Sequence, residues 1–200
     1  MSGSVLWSLT LYAVASLVTP GPNTLLAFAS AVHFGIKRLW PQILGVAFGF
    51  LVELWACGLG LDALFNMVPV ARQVLKFLGG GYLIFLAIRI ATSPVDPTMN
   101  TARKPPMTFI QAAMFQIVNP KSWVIVLGGI ALYADPAHHY ASMLIISLFL
   151  GLGTIPAVVT WAVAGIMTKS YLSHPRRLRY FNIAMGLLLI VAVVPMLYEP

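Results

Sequence analysis

Apolar residues come in long runs along this chain, and polar residues are confined to the gaps between them. Runs of membrane length, about 20 residues, predict spanning helices rather than core helices. Six are present: 5–32, 40–64, 71–91, 108–134, 140–167 and 180–198. Two are interrupted: the first at Pro20-Gly21-Pro22, the fourth at Asn119-Pro120-Lys121. Pro156 predicts a kink in the fifth. Between the third and fourth runs lies "TSPVDPTMNTARKPP", residues 92–106, which has four prolines and no apolar periodicity and reads as a linker.

Composition agrees with the pattern. The 200 residues are 60% hydrophobic and 8% charged, with a mean hydropathy of +0.89. A soluble domain has about 25% charged residues, so this chain has too few charges to cover a water-facing surface. The expected fold is an all-α integral membrane domain in contact with the lipid bilayer. Met1 to Ser8 lack the basic residues of a signal-peptide n-region, so the first run is expected to stay in the product. Cys57 is alone and can form no disulfide within the chain; it reads as a small packing residue.

The net charge of +7 is spread as a topology signal rather than as a nucleic-acid patch. Lys37, Arg38, Arg89, Arg103, Lys104, Lys169, Arg176, Arg177 and Arg179 fall on one side of the predicted membrane, Arg72 and Lys76 on the other. Basic loops stay in the cytoplasm, so both termini are predicted outside and the linker inside. Asp62, Asp135 and Glu199 lie on the outer side. Trp7, Trp40 and Tyr198 read as interfacial belt residues.

The two halves resemble one another. "SLTLYAVASLVTPGPNTLL" overlays "TFIQAAMFQIVNPKSWVIV" with Thr19-Pro20 on Asn119-Pro120, an offset of 100 residues. Three spans per half force the second half to enter the membrane from the opposite side. The prediction is two inverted three-helix repeats, 1–91 and 107–200, each with a broken first helix, in one transmembrane domain. Secondary transporters use this plan.

The breaks are where chemistry is expected. A proline inside a helix removes a donor and blocks the carbonyl four residues back. Freed backbone groups are tolerated at membrane depth only inside protein or beside a water-filled cavity. Thr19, Pro20, Gly21, Pro22 and Asn23 at the first break, and Gln116, Asn119, Pro120 and Lys121 at the second, are the candidate substrate-binding residues. The half-helix starting near Asn23 would offer its N-terminal dipole to a carboxylate. The plainer reading is a pair of kinks that shape the bundle. A lysine in mid-span costs about 2.5–3.5 kcal/mol on insertion scales. Lys121 lies 13 residues into the fourth run, about 20 Å along a helix, which is deep for snorkelling. Glu53, the acidic residue well inside a span, is expected either to pair with Lys121 or to be protonated during transport. Both are candidates for proton coupling. Gly45 and Gly49, the glycines at 79–81, and Gly151 with Gly153 predict close helix packing and allow a homodimer. No cofactor is implied. His138-His139 lack the further ligands of a metal site, so none is expected.

The stretches "TPGPNTLLAFASAVHFGIKR" and "FQIVNPKSW" resemble the two signatures of the lysine exporter (LysE/RhtB) family of bacterial inner-membrane amino-acid exporters. Length, six runs and a basic linker match as well, so the resemblance covers essentially the whole chain. It implies a secondary transporter, driven by the proton-motive force, that exports amino acids or similar small zwitterions and is not an enzyme. Pro20, Gly21, Pro22, Asn23, Asn119, Pro120 and Lys121 take the family's hallmark positions. The alternatives are a passive channel or a membrane structural subunit. An intramembrane hydrolase would need a nucleophile and a base at one depth, and no buried serine–histidine pair is evident.

Overall fold

A computed structural model describes residues 2–61, 84–85, 87–92, 105–168 and 174–198, with 77, 81 and 171 as single positions. Most of the third run and the linker, with Asp62, Arg72, Lys76, Lys169 and Glu199, lie outside the described residues. Among the described residues all regular structure is helical. Helices α1 (Gly3–Val18) and α2 (Pro22–Phe34) form the first run, and α3 (Trp40–Ala56) the second. Helices α4 (Phe109–Val118) and α5 (Pro120–Tyr133) form the fourth, α6 (His139–Ile146) and α7 (Thr154–Thr168) the fifth, and α8 (Pro175–Tyr198) the sixth.

Two continuous helical stretches, Ile36–Gly60 and Pro136–Thr168, are long and apolar enough to cross a membrane. The pairs α1–α2 and α4–α5 pass the same test together, bent by 54° and 70°. The described residues thus hold two candidate membrane spans, or four where each bent pair is one span.

Proline stereochemistry makes the breaks. The ring of a proline pushes the residue before it out of the helical region. All three such residues here are extended: Thr19 (φ −57°, ψ 142°), Gly21 (φ −164°, ψ 178°) and Asn119 (φ −89°, ψ 106°). Pro22 and Pro120 then open α2 and α5 at the first helical position, where a missing N–H is harmless. Gly35, at φ 69°, ends α2 and gives its N–H to the Ala31 carbonyl, as a glycine cap does.

The fifth span departs from α-geometry where Pro156 predicts it. Ser147–Gly151 form a π-turn, with the Leu152 N–H bonded to the Ser147 carbonyl at 3.1 Å. The Leu152 carbonyl, which Pro156 cannot serve, takes the Ile155 N–H instead (3.1 Å). A second π-turn, Cys57–Leu61, extends α3 and contains Gly60 at φ 106°. The imidazole of His139 donates its Nε2–H to the Gly58 carbonyl there (2.8 Å). Between the fourth and fifth runs Asp135 accepts the Ala137 N–H (2.9 Å) and pairs with His138 (3.1 Å).

The helices are apolar all round, as buried or membrane helices are. One face of α3 carries exposed Leu44, Phe48 and Val52, one helical turn apart. The neighbouring face carries Gly45 and Gly49, buried against α4. Among the described residues the most extensive contacts are α3 on α4 and α2 on α7. Each joins a broken span of one predicted half to the second span of the other. Close approach requires glycine here. A Cβ on Gly45 would strike the Phe109 carbonyl, one on Gly49 the backbone of Ala113, and one on Gly165 the Phe28 carbonyl. The small-residue pair Gly45 and Gly49 is thus engaged inside the chain. Leu9, Leu17, Phe50, Leu54, Ile125 and Ile146 form the core beside the breaks.

Because the Gly49 obstacle is backbone, Gly49→Ala is expected to destabilise the protein by about 1–3 kcal/mol. Gly3→Ala, with nothing within 4 Å of the new methyl, should have no such effect. Thermal unfolding in detergent compares the two.

Candidate functional site

Breaking a span inside protein leaves the last carbonyls of one half-helix and the first N–H groups of the next without helical partners. Side chains supply most of what is missing. At the first break, the Thr19 hydroxyl donates to the Ser16 carbonyl (2.9 Å) and Trp161 Nε1 to the Val18 carbonyl (2.9 Å). The Thr19 carbonyl accepts Lys121 Nζ, from the other break. Thr24 Oγ1 takes the Gly21 N–H (2.9 Å) and donates to the Gly21 carbonyl (3.0 Å). At the second break, Ser122 Oγ reaches the Gln116 and Asn119 carbonyls (3.0 and 2.8 Å). Trp123 Nε1 donates to the Ile117 carbonyl (2.9 Å), and Asn119 Oδ1 caps the Lys121 N–H (3.2 Å).

The two breaks meet. Asn23 Nδ2 donates to Gln116 Oε1 (2.9 Å), and Gln116 Nε2 returns a bond to Asn23 Oδ1 (3.3 Å) while also reaching the Ala112 carbonyl (3.1 Å). Gln116 is fully buried. The stem of Lys121 lies across Gly21, where an added Cβ would come within 2.5 Å of the lysine Cδ. Tyr12 also ties α1 to α5, through its hydroxyl on the Ile125 carbonyl (3.0 Å).

A cavity of about 40 Å³ lies at this junction, room for a few waters. Gly21, Asn23 and Thr24 line it from the first break, and Asn119, Lys121 and Ser122 from the second. Val46, Phe50, Ile125, Ala157 and Val158 supply apolar wall, and Thr154 a further hydroxyl. Among the described residues Lys121 is the one charged side chain on this wall.

Of the sequence candidates, Gly21, Asn23, Asn119 and Lys121 reach the cavity directly. Gln116 stands behind Asn23. The Thr19 side chain caps its own helix while its carbonyl faces Lys121. Pro20, Pro22 and Pro120 act through the backbone shape they impose. Glu53 does not line the cavity, and no ion pair joins it to Lys121; among the described residues the one ion pair is His138–Asp135. Of the two roles expected of Glu53, pairing with Lys121 or taking up a proton, the pairing is not made: Lys121 holds a carbonyl and Glu53 lies in the packed interior. Both Glu53 carboxyl oxygens are buried without a hydrogen-bond partner. The Ser122 hydroxyl lies beside them, but its bonds go to the two carbonyls of α4's end.

Thr24, Ser122, Thr154 and Trp161 are site residues that sequence reasoning missed. Thr24 carried a signal, standing three residues after Gly21 at capping distance. Ser122 sits inside the quoted second signature. Thr154 and Trp161 come from α7 and carry no local signal.

Two bent helix pairs converge on a small, largely apolar cavity that carries a lysine, an arrangement expected of membrane transport proteins. A family model described as "LysE type translocator" matches residues 14–199. The chain belongs to that family, as its two proline signatures implied, and is a transporter rather than an enzyme. The Cysteine/O-acetylserine efflux protein of Escherichia coli (strain K12) is 28% identical over 200 residues, covering 99% of this chain and 100% of that protein. The protein of the same name from Shigella flexneri serotype 5b (strain 8401) is 29% identical over 197 residues, covering 98% and 97%. No solved structure gives a significant match.

The amide pair generates a prediction. Asn23→Ala leaves Gln116 Oε1 buried and unpaired, which costs about 1–3 kcal/mol. Gln116→Ala should cost a similar amount, and the double variant less than their sum, with a coupling of about 0.5–3 kcal/mol. Thermal unfolding of the four proteins measures it.

Proposed function

We propose that this chain is a secondary transporter that exports amino acids with small neutral side chains across the bacterial inner membrane. The observation that carries the reading is the cavity shared by the two breaks. Its wall offers Lys121 and the N-terminal end of α2 to a carboxylate, and carbonyls and hydroxyls to an amine. The rest of the wall is largely apolar, with no carboxylate among the described residues to receive a cationic side chain. Relatives aligned over nearly the whole chain are named for cysteine and O-acetylserine efflux, and both of those are small neutral amino acids.

The reading includes six spans as two inverted repeats, with termini in the periplasm and linker in the cytoplasm. The overlay of the two proline breaks at an offset of 100 residues supports the repeats, and the tight α2–α7 and α3–α4 contacts each tie one half to the other. Rocking of one unit against the other would alternate access to the cavity.

Glu53 is proposed as the proton carrier for export driven by the proton-motive force. Its carboxyl is buried with no cation paired to it among the described residues and with the Ser122 hydroxyl beside it, the setting in which an intramembrane carboxyl serves a proton path. Ser122 lies between it and the cavity and can pass the effect of a proton to the site by exchanging its carbonyl partners for the carboxylate.

Two measurements test this in proteoliposomes loaded with L-cysteine or O-acetyl-L-serine. A proton gradient should drive uphill efflux of both and leave L-lysine behind; equilibration without a gradient dependence would favour the passive channel. Lys121→Ala should lower transport about 10- to 100-fold, the 1.5–3 kcal/mol of a hydrogen bond to a charged group. Glu53→Gln should keep substrate exchange and lose gradient-driven accumulation. Unchanged uphill transport in Glu53→Gln removes Glu53 from the coupling.

A further inference from the structure

The side-chain caps at the breaks are of two kinds. Ser16, Val18, Gln116, Ile117 and Asn119 carbonyls take hydroxyls or indole N–H groups. The Thr19 carbonyl takes an amine at the end of a flexible four-carbon stem.

Electrostatics explains the reach. Lys121 is the second residue of α5, at the positive end of that helix's dipole, where a cation is repelled. The end of α1, where Thr19 sits, is the negative end of another. Lys121 therefore crosses from one break to the other. Gly21 leaves the path open, since a side chain there would overlap the lysine stem. In the 100-residue register of the two halves, Gly21 and Lys121 are equivalent positions. One half supplies the arm and the other the gap it crosses.

The arrangement is an ammonium on a carbonyl seat, beside a cavity, with no carboxylate paired to it. A zwitterionic amino acid carries both missing partners: an ammonium for the seat and a carboxylate for the lysine. We propose that Lys121 is a tethered stand-in for the substrate's own ammonium, holding the Thr19 carbonyl while the site is empty and turning to the substrate's carboxylate when it is filled. The proposal rests on the amino-acid reading above and adds the residue that selects for a carboxylate beside an amine. A simple amine cannot displace Lys121, because the displaced lysine would be left in the cavity unpaired. The exchange adds no net charge to the site, since a zwitterion brings none.

The test uses purified full-length protein in detergent and reducing buffer, with L-cysteine and its decarboxylated counterpart cysteamine as probes. Binding is read by thermal stabilisation and by tryptophan fluorescence, to which Trp161 beside the seat contributes. Wild type should bind cysteine and ignore cysteamine at the same concentration. Lys121→Met should weaken cysteine and strengthen cysteamine, each by about tenfold or more, the worth of one charge-assisted hydrogen bond. Gly21→Ala, which keeps the lysine but pushes its stem aside, should shift both probes in the same direction. This second variant carries the test if Lys121→Met does not fold. No gain of cysteamine binding in either variant, or equal binding of both probes by wild type, overturns the proposal. Should wild type bind no amino acid while Lys121→Met gains cysteamine, the seat stands and the export reading falls.

Discussion

Hydrocarbon offers no hydrogen bonds, so a chain that interrupts a helix at membrane depth must find a partner for every group it frees. Three prolines within two spans create that demand here, and most of the site's geometry is the response. Trp161 reaches from α7 to the end of α1, Trp123 folds back onto the end of α4, and Ser122 bridges two carbonyls at once. These caps use groups that are rigid once packed. They hold two backbone ends in place beside a cavity that a straight helix would have filled.

Packing gives the breaks their relation to each other. The tight α3–α4 and α2–α7 contacts run between the predicted halves. Neither half of the described structure makes its main interfaces with itself. The glycines at those contacts allow backbone to meet backbone, and this leaves little freedom for the half-helices to shift along one another. The two breaks are therefore placed by different partners yet arrive at one cavity, where Asn23 and Gln116 close the remaining gap.

What could be read in the sequence follows from the range of the physics involved. Pro20, Pro22 and Pro120 act on their immediate neighbours, so the positions of both breaks were legible, as was the departure ahead of Pro156. The membrane class was legible because it depends on total polar content. Partners across the cavity were not. Glu53 was expected either to pair with Lys121 or to be protonated; Lys121 instead holds the carbonyl at the end of α1, and Glu53 is buried away from the cavity lining. Trp161 and Thr154 contribute from α7, more than a hundred residues from the first break, and no local pattern marks them. The third and sixth spans, the linker and the sidedness of the loops rest on the sequence argument alone.

The amide pair between the breaks has a consequence for timing. Asn23 and Gln116 each give and accept one bond, and neither carries a charge. In a dry interior, parting them would strand two donors and two acceptors. In a flooded cavity, water replaces both bonds at little cost. The clasp is thus firm when the junction is dry and slack when it is wet. Entry of solvent would loosen this clasp first, leaving Lys121 on the Thr19 carbonyl and Tyr12 on the Ile125 carbonyl as the ties between the two bent pairs.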